Sequence, residues 1–245
     1  MPVRRIVLPI ALTFIATLIW RMPARWALAA LPANVRCEQP TGTAWNGRCA
    51  SLALAAGSVS NVRWQLQASQ LLRGRLSAVL YIQDARLDGS AQLLIGTGGF
   101  IQASNLHTSL ALPSTLVRGT PPGLSGTLVV NVPALELRQG QLISVTGTVQ
   151  LRNVRQLQPP LQLGDYEWQL AEGKAQNGRI SGALRELGGP LQLTGTLALS
   201  LNGEFELEAK VRAKNVADQS LAQALESLGP ADADGMRPVS VAGAL

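Results

Sequence analysis

The side chains that could perform catalysis are few and scattered along this chain of 245 residues. His107 is its one histidine, and both a Ser-His-Asp triad and a Cys-His pair require such a base. It lies in a polar stretch, which is typical of an exposed strand position or a loop. Glu206 and Glu208 alternate with apolar residues and precede two basic side chains, which indicates one solvated strand face rather than a glycosidase pair. The sequence therefore predicts a protein that is not an enzyme.

The residue spacing indicates no cofactor, metal or nucleic-acid site. The glycine-rich stretch 96–99 lacks the following helix and the acidic residue about 20 positions further on that a dinucleotide-binding loop requires. Two cysteines without companion histidines cannot supply the four ligands of a usual zinc site. Four of the 21 basic residues flank the N-terminal apolar segment, which leaves 17 against 15 acids elsewhere, and this nearly balanced body argues against nucleic acid as a partner.

Cys37 and Cys49 are the two cysteines of the chain, and both follow the apolar segment. If that region lies outside the cytoplasm, an intramolecular disulfide is the simplest interpretation. A pair of buried or free thiols is the alternative, and the spacing by itself leaves both open.

An apolar N-terminal segment predicts one transmembrane helix. Residues 6–20 carry no charge, and as a helix they would extend roughly 22 Å, which is shorter than the roughly 30 Å of a bilayer core. The predicted anchor therefore continues through residues 6–31, because basic and aromatic flanks suit the membrane interface. These flanking residues are Arg4, Arg5, Trp20, Arg21, Arg25 and Trp26.

Two interpretations of this segment are open, and both carry the body, residues 32–245, across the membrane. A retained anchor leaves residues 1–5 in the cytoplasm. A cleaved signal peptide would use the small-residue stretch 27–29 as its cleavage site. We favour the retained anchor because Arg21 and Arg25 would lie between the apolar core and that cleavage site.

Beyond the anchor, apolar and polar residues alternate with a period of two, as in strands with one buried face. Asn-Gly or Asp-Gly dipeptides at residues 46–47, 88–89, 177–178 and 202–203 predict hairpin turns. Glycine also recurs between apolar residues within the runs, where it bends a strand or admits close backbone approach. We therefore predict a mainly β fold with a long, curved, mostly antiparallel sheet of the β-taco kind; an ordinary sandwich or barrel is the alternative.

A short helix is predicted near the C-terminus. Leu221, Leu225 and Leu228 share one helical face, and a Gly-Pro dipeptide ends the pattern. Asn215 or Asp218 can cap the start of the helix. We expect it to cover one end of the sheet, and a partner-binding helix is the alternative.

The order of motifs along nearly the whole chain resembles the type II secretion system protein N family. An Arg-flanked apolar segment precedes a Gly-Thr-x-Trp-x-Gly stretch, which is the most specific part of the match. The motif residues are Gly42, Thr43, Trp45, Gly47, Trp64 and Gly74. Further matching regions are residues 121–128, 195–201 and 228–243. By its chemistry alone, Trp45 is expected to pack over a hairpin turn, with a direct partner contact as the alternative.

The resemblance implies a non-enzymatic accessory or assembly component of the bacterial type II secretion machine, with no cofactor and no catalytic residues. It implies a single-pass anchor in the cell inner membrane, a cytoplasmic N-terminus and a periplasmic body. The implied partners are the inner-membrane platform subunits, with the outer-membrane secretin as a further one. The family is also distantly similar to AsmA-like proteins, whose curved sheets form lipid-carrying grooves, so binding of a lipid or hydrophobic ligand is the alternative function.

Overall fold

The computed structural model describes residues 13–14, 17–28, 35–54, 57–71, 73–112, 123–157, 160–170, 178–200, 203–215 and 218–244. The chain divides into two compact units, residues 1–96 and 97–245. Within the described ranges, no helix has both the length and the apolar character to cross a bilayer. The predicted tail, residues 1–5, and much of the predicted anchor lie outside those ranges, so the anchor stays a prediction.

The first unit is an antiparallel sheet with two short helices. Its elements are α1 (Ala24–Leu28), β1 (Arg36–Glu38), β2 (Thr41–Gly42), β3 (Asn46–Leu54), β4 (Gly57–Leu66), α2 (Ala68–Leu71), β5 (Leu76–Gln83) and β6 (Leu87–Ile95). The strand order is β1-β3-β4-β5-β6, and β2 pairs with β3 beyond the end of β1. Val62 and Trp64 of β4 are buried while Arg63 and Gln65 are exposed, as the period-two pattern predicts.

The second unit is an antiparallel meander in which each strand pairs with the next. A single 3₁₀ turn (Thr97–Gly99) precedes β7 (Phe100–Ala111), β8 (Leu124–Arg138), β9 (Gln141–Leu157), β10 (Pro160–Leu170), β11 (Arg179–Gly188), β12 (Leu191–Ser200), β13 (Glu204–Ala213), α3 (Gln219–Glu226) and β14 (Arg237–Ala244). The prediction of a mainly β, antiparallel, open sheet with few helices is confirmed. The predicted β-taco curvature stays a prediction.

One face of this meander is apolar. Register places Val130 of β8 opposite Val149, Val149 opposite Trp168, and Trp168 opposite Leu184, so an apolar row crosses four strands. The buried centre of the face consists of Val132, Leu142, Val145, Trp168 and Leu170. Burial of this face contributes to the stability of the unit, because apolar side chains from neighbouring strands pack together there.

The C-terminal helix covers one end of that face, as predicted. Leu221 and Leu225 of α3 are buried against Leu191 and Val211. The N-cap is Asp218, whose side chain accepts a hydrogen bond from the Leu221 amide. A hydrogen bond from the Ser220 hydroxyl, together with the one from the Leu221 amide, lowers the pKa of the Asp218 carboxyl.

Two of the predicted hairpin turns are wrong. Residues 46–47 belong to β3 and pair with residues 64–65 of β4, and residues 88–89 belong to β6. The turn between β5 and β6 forms instead at residues 84–86. The Asp84 carboxylate accepts a hydrogen bond from the Arg86 amide, and this local bond stabilises the turn. The predicted hairpin between β12 and β13 is confirmed by their antiparallel pairing, and Gly203 has a φ of 89° and donates to the Ser200 carbonyl, while residue 202 lies outside the described residues. The fourth dipeptide ends in Gly178, and its asparagine lies outside the described residues.

Candidate functional site

The turn between β2 and β3 binds the end of the N-terminal segment, and we name this contact between residues 19–24 and residues 43–45 the anchor junction. The indole N–H of Trp45 donates to the carbonyl of Ile19 at 2.8 Å. The amide of Ala44 donates to the carbonyl of Met22, also at 2.8 Å. Both acceptors are backbone carbonyls at the end of an apolar helical stretch, and the Ile19 carbonyl also accepts a hydrogen bond from the Met22 amide at 3.2 Å. The junction therefore attaches this helix end to the turn between β2 and β3 through two backbone carbonyls.

Two further contacts complete the anchor junction. Pro23 forms an antiparallel bridge with Thr43. Ala24, the first residue of α1, is only 2% exposed and packs in one cluster with Cys49, Val62 and Trp64. The small alanine side chain allows α1 to lie directly on the sheet, so the segment is attached by packing as well as by hydrogen bonds.

The Gly-Thr start of the motif shapes the turn. Gly42 has a φ of 87°, and a Cβ there would lie 2.5 Å from the Asn46 carbonyl oxygen, so only glycine fits without strain. The Thr43 amide donates to that same carbonyl at 2.9 Å, and the Asn46 amide donates to the Thr43 hydroxyl at 3.1 Å. These bonds close the turn and present residues 44 and 45 to the N-terminal segment.

Gly47 and Trp64 form the floor of the junction. They are directly opposite each other on β3 and β4, and a Cβ on Gly47 would overlap the six-membered ring of Trp64. The close approach lets the buried indole N–H of Trp64 donate to the Ala44 carbonyl at 3.0 Å. Gly47 is therefore needed for aromatic packing and not, as predicted, for a hairpin turn.

Cys37 and Cys49 are joined by a disulfide that links β1 to β3, with their Cα atoms 5.7 Å apart. Cys49 is buried in the same cluster as Ala24 and Trp64. The disulfide thus ties the start of the sheet to the strand that carries the floor of the anchor junction. In the described part of the chain no cysteine is left free.

The predicted interface residues occupy exposed positions around the junction. Trp20 is 71% exposed and Trp26 is 63% exposed, and Arg21 and Arg25 are also exposed. Arg4 and Arg5 lie outside the described residues. Gly74 is separate from the other motif residues and has a φ of 68° in the turn after α2.

Other candidate chemical residues do not assemble into a site. His107 is an exposed position of β7 opposite Asn131. Glu206 and Glu208 are exposed on β13, as predicted. Over the described ranges, no group of three or more His, Cys, Asp or Glu side chains could hold a metal ion.

The displaced pKa values have structural causes. Hydrogen bonds from Ser60 and from the Arg86 amide lower the pKa of Asp84 to about 2. Hydrogen bonds from Arg185 and Gln150 lower the pKa of Glu167. Burial raises the pKa of Tyr166 to about 12, and its hydroxyl donates to the Leu163 carbonyl. Each of these groups holds strands or turns together.

Sequence reasoning missed the residues that the motif binds. The acceptors are the main-chain carbonyls of Ile19 and Met22, which no side-chain pattern reveals. The available signal was Pro23, because a proline three residues after the end of an apolar helical run marks the point where the chain leaves the helix. Ala24 follows it as a small residue among large ones.

The described fold is that of a mainly β protein built from antiparallel strands. Hydrogen bonds attach its N-terminal segment to the turn between β2 and β3. The family model described as "Type II secretion system (T2SS), protein N" matches residues 33–240, and the chain belongs to that family. The Type II secretion system protein N of Aeromonas hydrophila is 24% identical over 240 residues, which is 94% of this chain and 94% of the relative. No solved structure matches the chain. The resemblance read from the motifs is confirmed, and the chain is a component of type II secretion.

Proposed function

We propose that this chain is a non-enzymatic accessory or assembly component of the type II secretion system, anchored in the inner membrane with its β body in the periplasm. The observation that carries the proposal is the anchor junction. A membrane segment connected by a flexible linker would not fix the position of the body relative to the membrane. Here two hydrogen bonds to backbone carbonyls, a β-bridge and a buried alanine attach the segment to the sheet. The junction holds the body at a defined place next to the membrane.

The exposed tryptophans and arginines beside the junction support this placement. Trp20 and Trp26 have the amphipathic rings that concentrate at membrane–water interfaces, and arginine can extend its charge from that depth into water. The direct partners that we propose are the inner-membrane platform subunits, with the outer-membrane secretin as a further contact. A body held close to the bilayer is within reach of the platform.

Membrane orientation is tested by thiol labelling in cells. A Ser240→Cys variant places an exposed thiol on β14, while the native cysteines are joined to each other. A reagent that cannot cross the inner membrane should label this variant in spheroplasts. Labelling that appears only after lysis would place the body in the cytoplasm and contradict the proposal.

Association is tested by purifying the tagged chain from membranes in mild detergent and measuring the platform subunits recovered with it. Trp45→Ala should lower this recovery because it removes the hydrogen bond to Ile19. Tyr81→Ala is the matched control, since Tyr81 is an exposed aromatic residue of the same unit outside the junction. Assembly of the intact apparatus in cells that lack the chain would contradict an assembly role.

A second candidate function is the binding of a lipid or hydrophobic ligand, and the apolar face of β13 favours it. On this face Val211 is buried against α3 and Ala209 is also buried, but Phe205 and Leu207 are only half-buried. Val241, opposite Leu207 on β14, is 44% exposed. Large apolar side chains left partly open beside a covered region are typical of a ligand groove.

Native mass spectrometry of the full chain released from gentle detergent tests this second function. Bound phospholipid should appear as a defined mass increment that Leu207→Glu abolishes. Glu208→Gln is the control, because Glu208 is on the opposite face of the same strand. A clean mass of the protein alone would argue against a groove.

A further inference from the structure

A second basic and apolar element lies next to the anchor junction: the loop of residues 67–75, which includes α2. The amide of Leu66, the last residue of β4, donates to the carbonyl of Trp45 at 2.7 Å. The loop starts at the next residue. The residue that binds the N-terminal segment is therefore in direct contact with the strand end from which this loop emerges.

The loop presents an exposed apolar residue followed by two arginines, and backbone hydrogen bonds hold its turn in place. Leu71 is 43% exposed, and Arg73 and Arg75 are exposed. The amides of Arg73 and Arg75 both donate to the carbonyl of Gln70, and Gly74 donates to the carbonyl of Leu71. Leu71 is therefore exposed at a turn whose backbone is fixed by hydrogen bonds.

The two sequence stretches that form the N-terminal segment and this loop carry only basic charges. No acidic residue occurs in residues 1–37 or in residues 61–83. Arg21, Arg25, Arg73 and Arg75 therefore face their surroundings without a sequence-local carboxylate. Exposed arginines beside an exposed leucine and two tryptophans match the chemistry of an anionic phospholipid surface, which offers phosphates outside and acyl chains beneath.

We propose that the 67–75 loop is a second membrane contact, which inserts Leu71 at the bilayer interface and binds anionic phospholipid headgroups through Arg73 and Arg75. This inference rests on the proposed membrane anchor. With one attachment at the anchor junction and a second at this loop, the body has two points on the bilayer. A single helix would leave the body free to rotate about the helix axis, and the second contact removes that freedom.

The test uses the full chain reconstituted into vesicles of phosphatidylethanolamine and phosphatidylglycerol that carry a quencher in the acyl chains. Ser69→Cys places an environment-sensitive dye on the loop and leaves Leu71 intact. Ala85→Cys places the same dye in the exposed turn at the other end of β5, an eight-residue strand of roughly 26 Å. We expect the dye at residue 69 to be quenched severalfold more than the dye at residue 85.

The double substitution Arg73→Gln with Arg75→Gln should remove most of that difference, whereas Arg86→Gln, in the opposite turn, should leave it unchanged. Equal quenching at residues 69 and 85 overturns the second contact, whether or not the arginine variants fold. Quenching at residue 69 that is equal in phosphatidylcholine vesicles overturns the assignment of an anionic partner. A chain that fails to float with either vesicle overturns the anchor and the loop contact together, whereas flotation without loop quenching overturns the loop contact alone.

Discussion

Two tryptophans, one in each unit, pack over a glycine of a neighbouring strand, and they differ in one hydrogen bond. Trp64 lies over Gly47 and donates its indole N–H to the Ala44 carbonyl. Trp168 lies over Gly182, and its indole N–H is buried without a partner among the described residues. A tryptophan packed over a glycine thus supports the anchor junction in the first unit and an apolar core in the second.

The difference shows what the hydrogen bond adds. An indole without a partner contributes burial and shape, at a cost of about 1–3 kcal/mol for the unsatisfied donor. In the first unit the indole also fixes the turn that receives the N-terminal segment, because Ala44 accepts from Trp64 and donates to Met22. The core of the first unit is therefore connected to the anchor junction through Ala44, in addition to the packing of Ala24 in the same cluster as Trp64.

The largest effect is expected from filling the two glycine sites. Gly47→Ala and Gly182→Ala each force a methyl group into a ring or a backbone carbonyl, which should lower the free energy of unfolding by about 3 kcal/mol in urea titrations. Gly188→Ala is the matched control, because a Cβ there meets open space. If Gly47→Ala were as stable as the control, Trp64 would be able to move away from residue 47, and its close packing on Gly47 would not be required for stability.

Removal of the disulfide should affect the first unit alone, since both cysteines lie there. Cys37→Ser with Cys49→Ala should lower the free energy of unfolding by about 3 kcal/mol, because the unfolded chain regains the entropy of a closed loop. Reductant should produce a similar loss in the unchanged protein and none in the double variant. An unchanged protein that is indifferent to reductant under unfolding conditions would show that the disulfide adds no stability.

The hydrogen bond itself is tested by Trp64→Phe and Trp168→Phe. Trp64→Phe leaves the Ala44 carbonyl without its donor, whereas Trp168→Phe removes a donor that has no described partner. The first substitution should therefore cost about 2 kcal/mol more than the second. Unfolding is followed by circular dichroism, since both variants lose a fluorescent residue. Equal losses would mean that the two indoles are in equivalent surroundings.

The smallest effect concerns Glu167, which neighbours Trp168 on β10 and faces the other side of the sheet. Its carboxylate accepts from Arg185 at 2.6 Å and from Gln150 at 2.8 Å. Arg185 is largely exposed, so Glu167→Gln should cost only about 1.5 kcal/mol at neutral pH. Because these bonds lower the pKa of the folded carboxyl, their stabilisation is complete above the ordinary value of 4.5 and is lost as the pH falls through the folded value.

The unfolding free energies of the unchanged protein and Glu167→Gln should therefore converge in acid, as measured by urea titration at a series of pH values. Glu206→Gln is the control, because Glu206 and Arg179 are both about half exposed and 3.4 Å apart. A gap between the proteins that persisted at low pH would assign the loss to packing rather than to charge.

Secondary-structure elements whose residue pattern lies within the element itself could be predicted from the sequence. The alternation of residues 205–212 placed β13, and Leu221, Leu225 and the Asp218 cap placed α3, since each pattern is contained within one element. The Asn-Gly signal at residues 46–47 failed because glycine serves both tight turns and close packing under an aromatic ring. Which use applies depends on Trp64, a residue of another strand.

The sequence by itself determined the family, the strand-forming body, the C-terminal helix and the motif residues around Trp45. Only the tertiary structure decided that this motif receives the N-terminal segment and that the 67–75 loop emerges beside it. The physical reason is that the junction binds backbone carbonyls, and every residue type carries the same carbonyl. Pro23 marks where the helix ends, but the partner of that end, Trp45, is 26 residues from Ile19 and is identified only where the fold brings the two together.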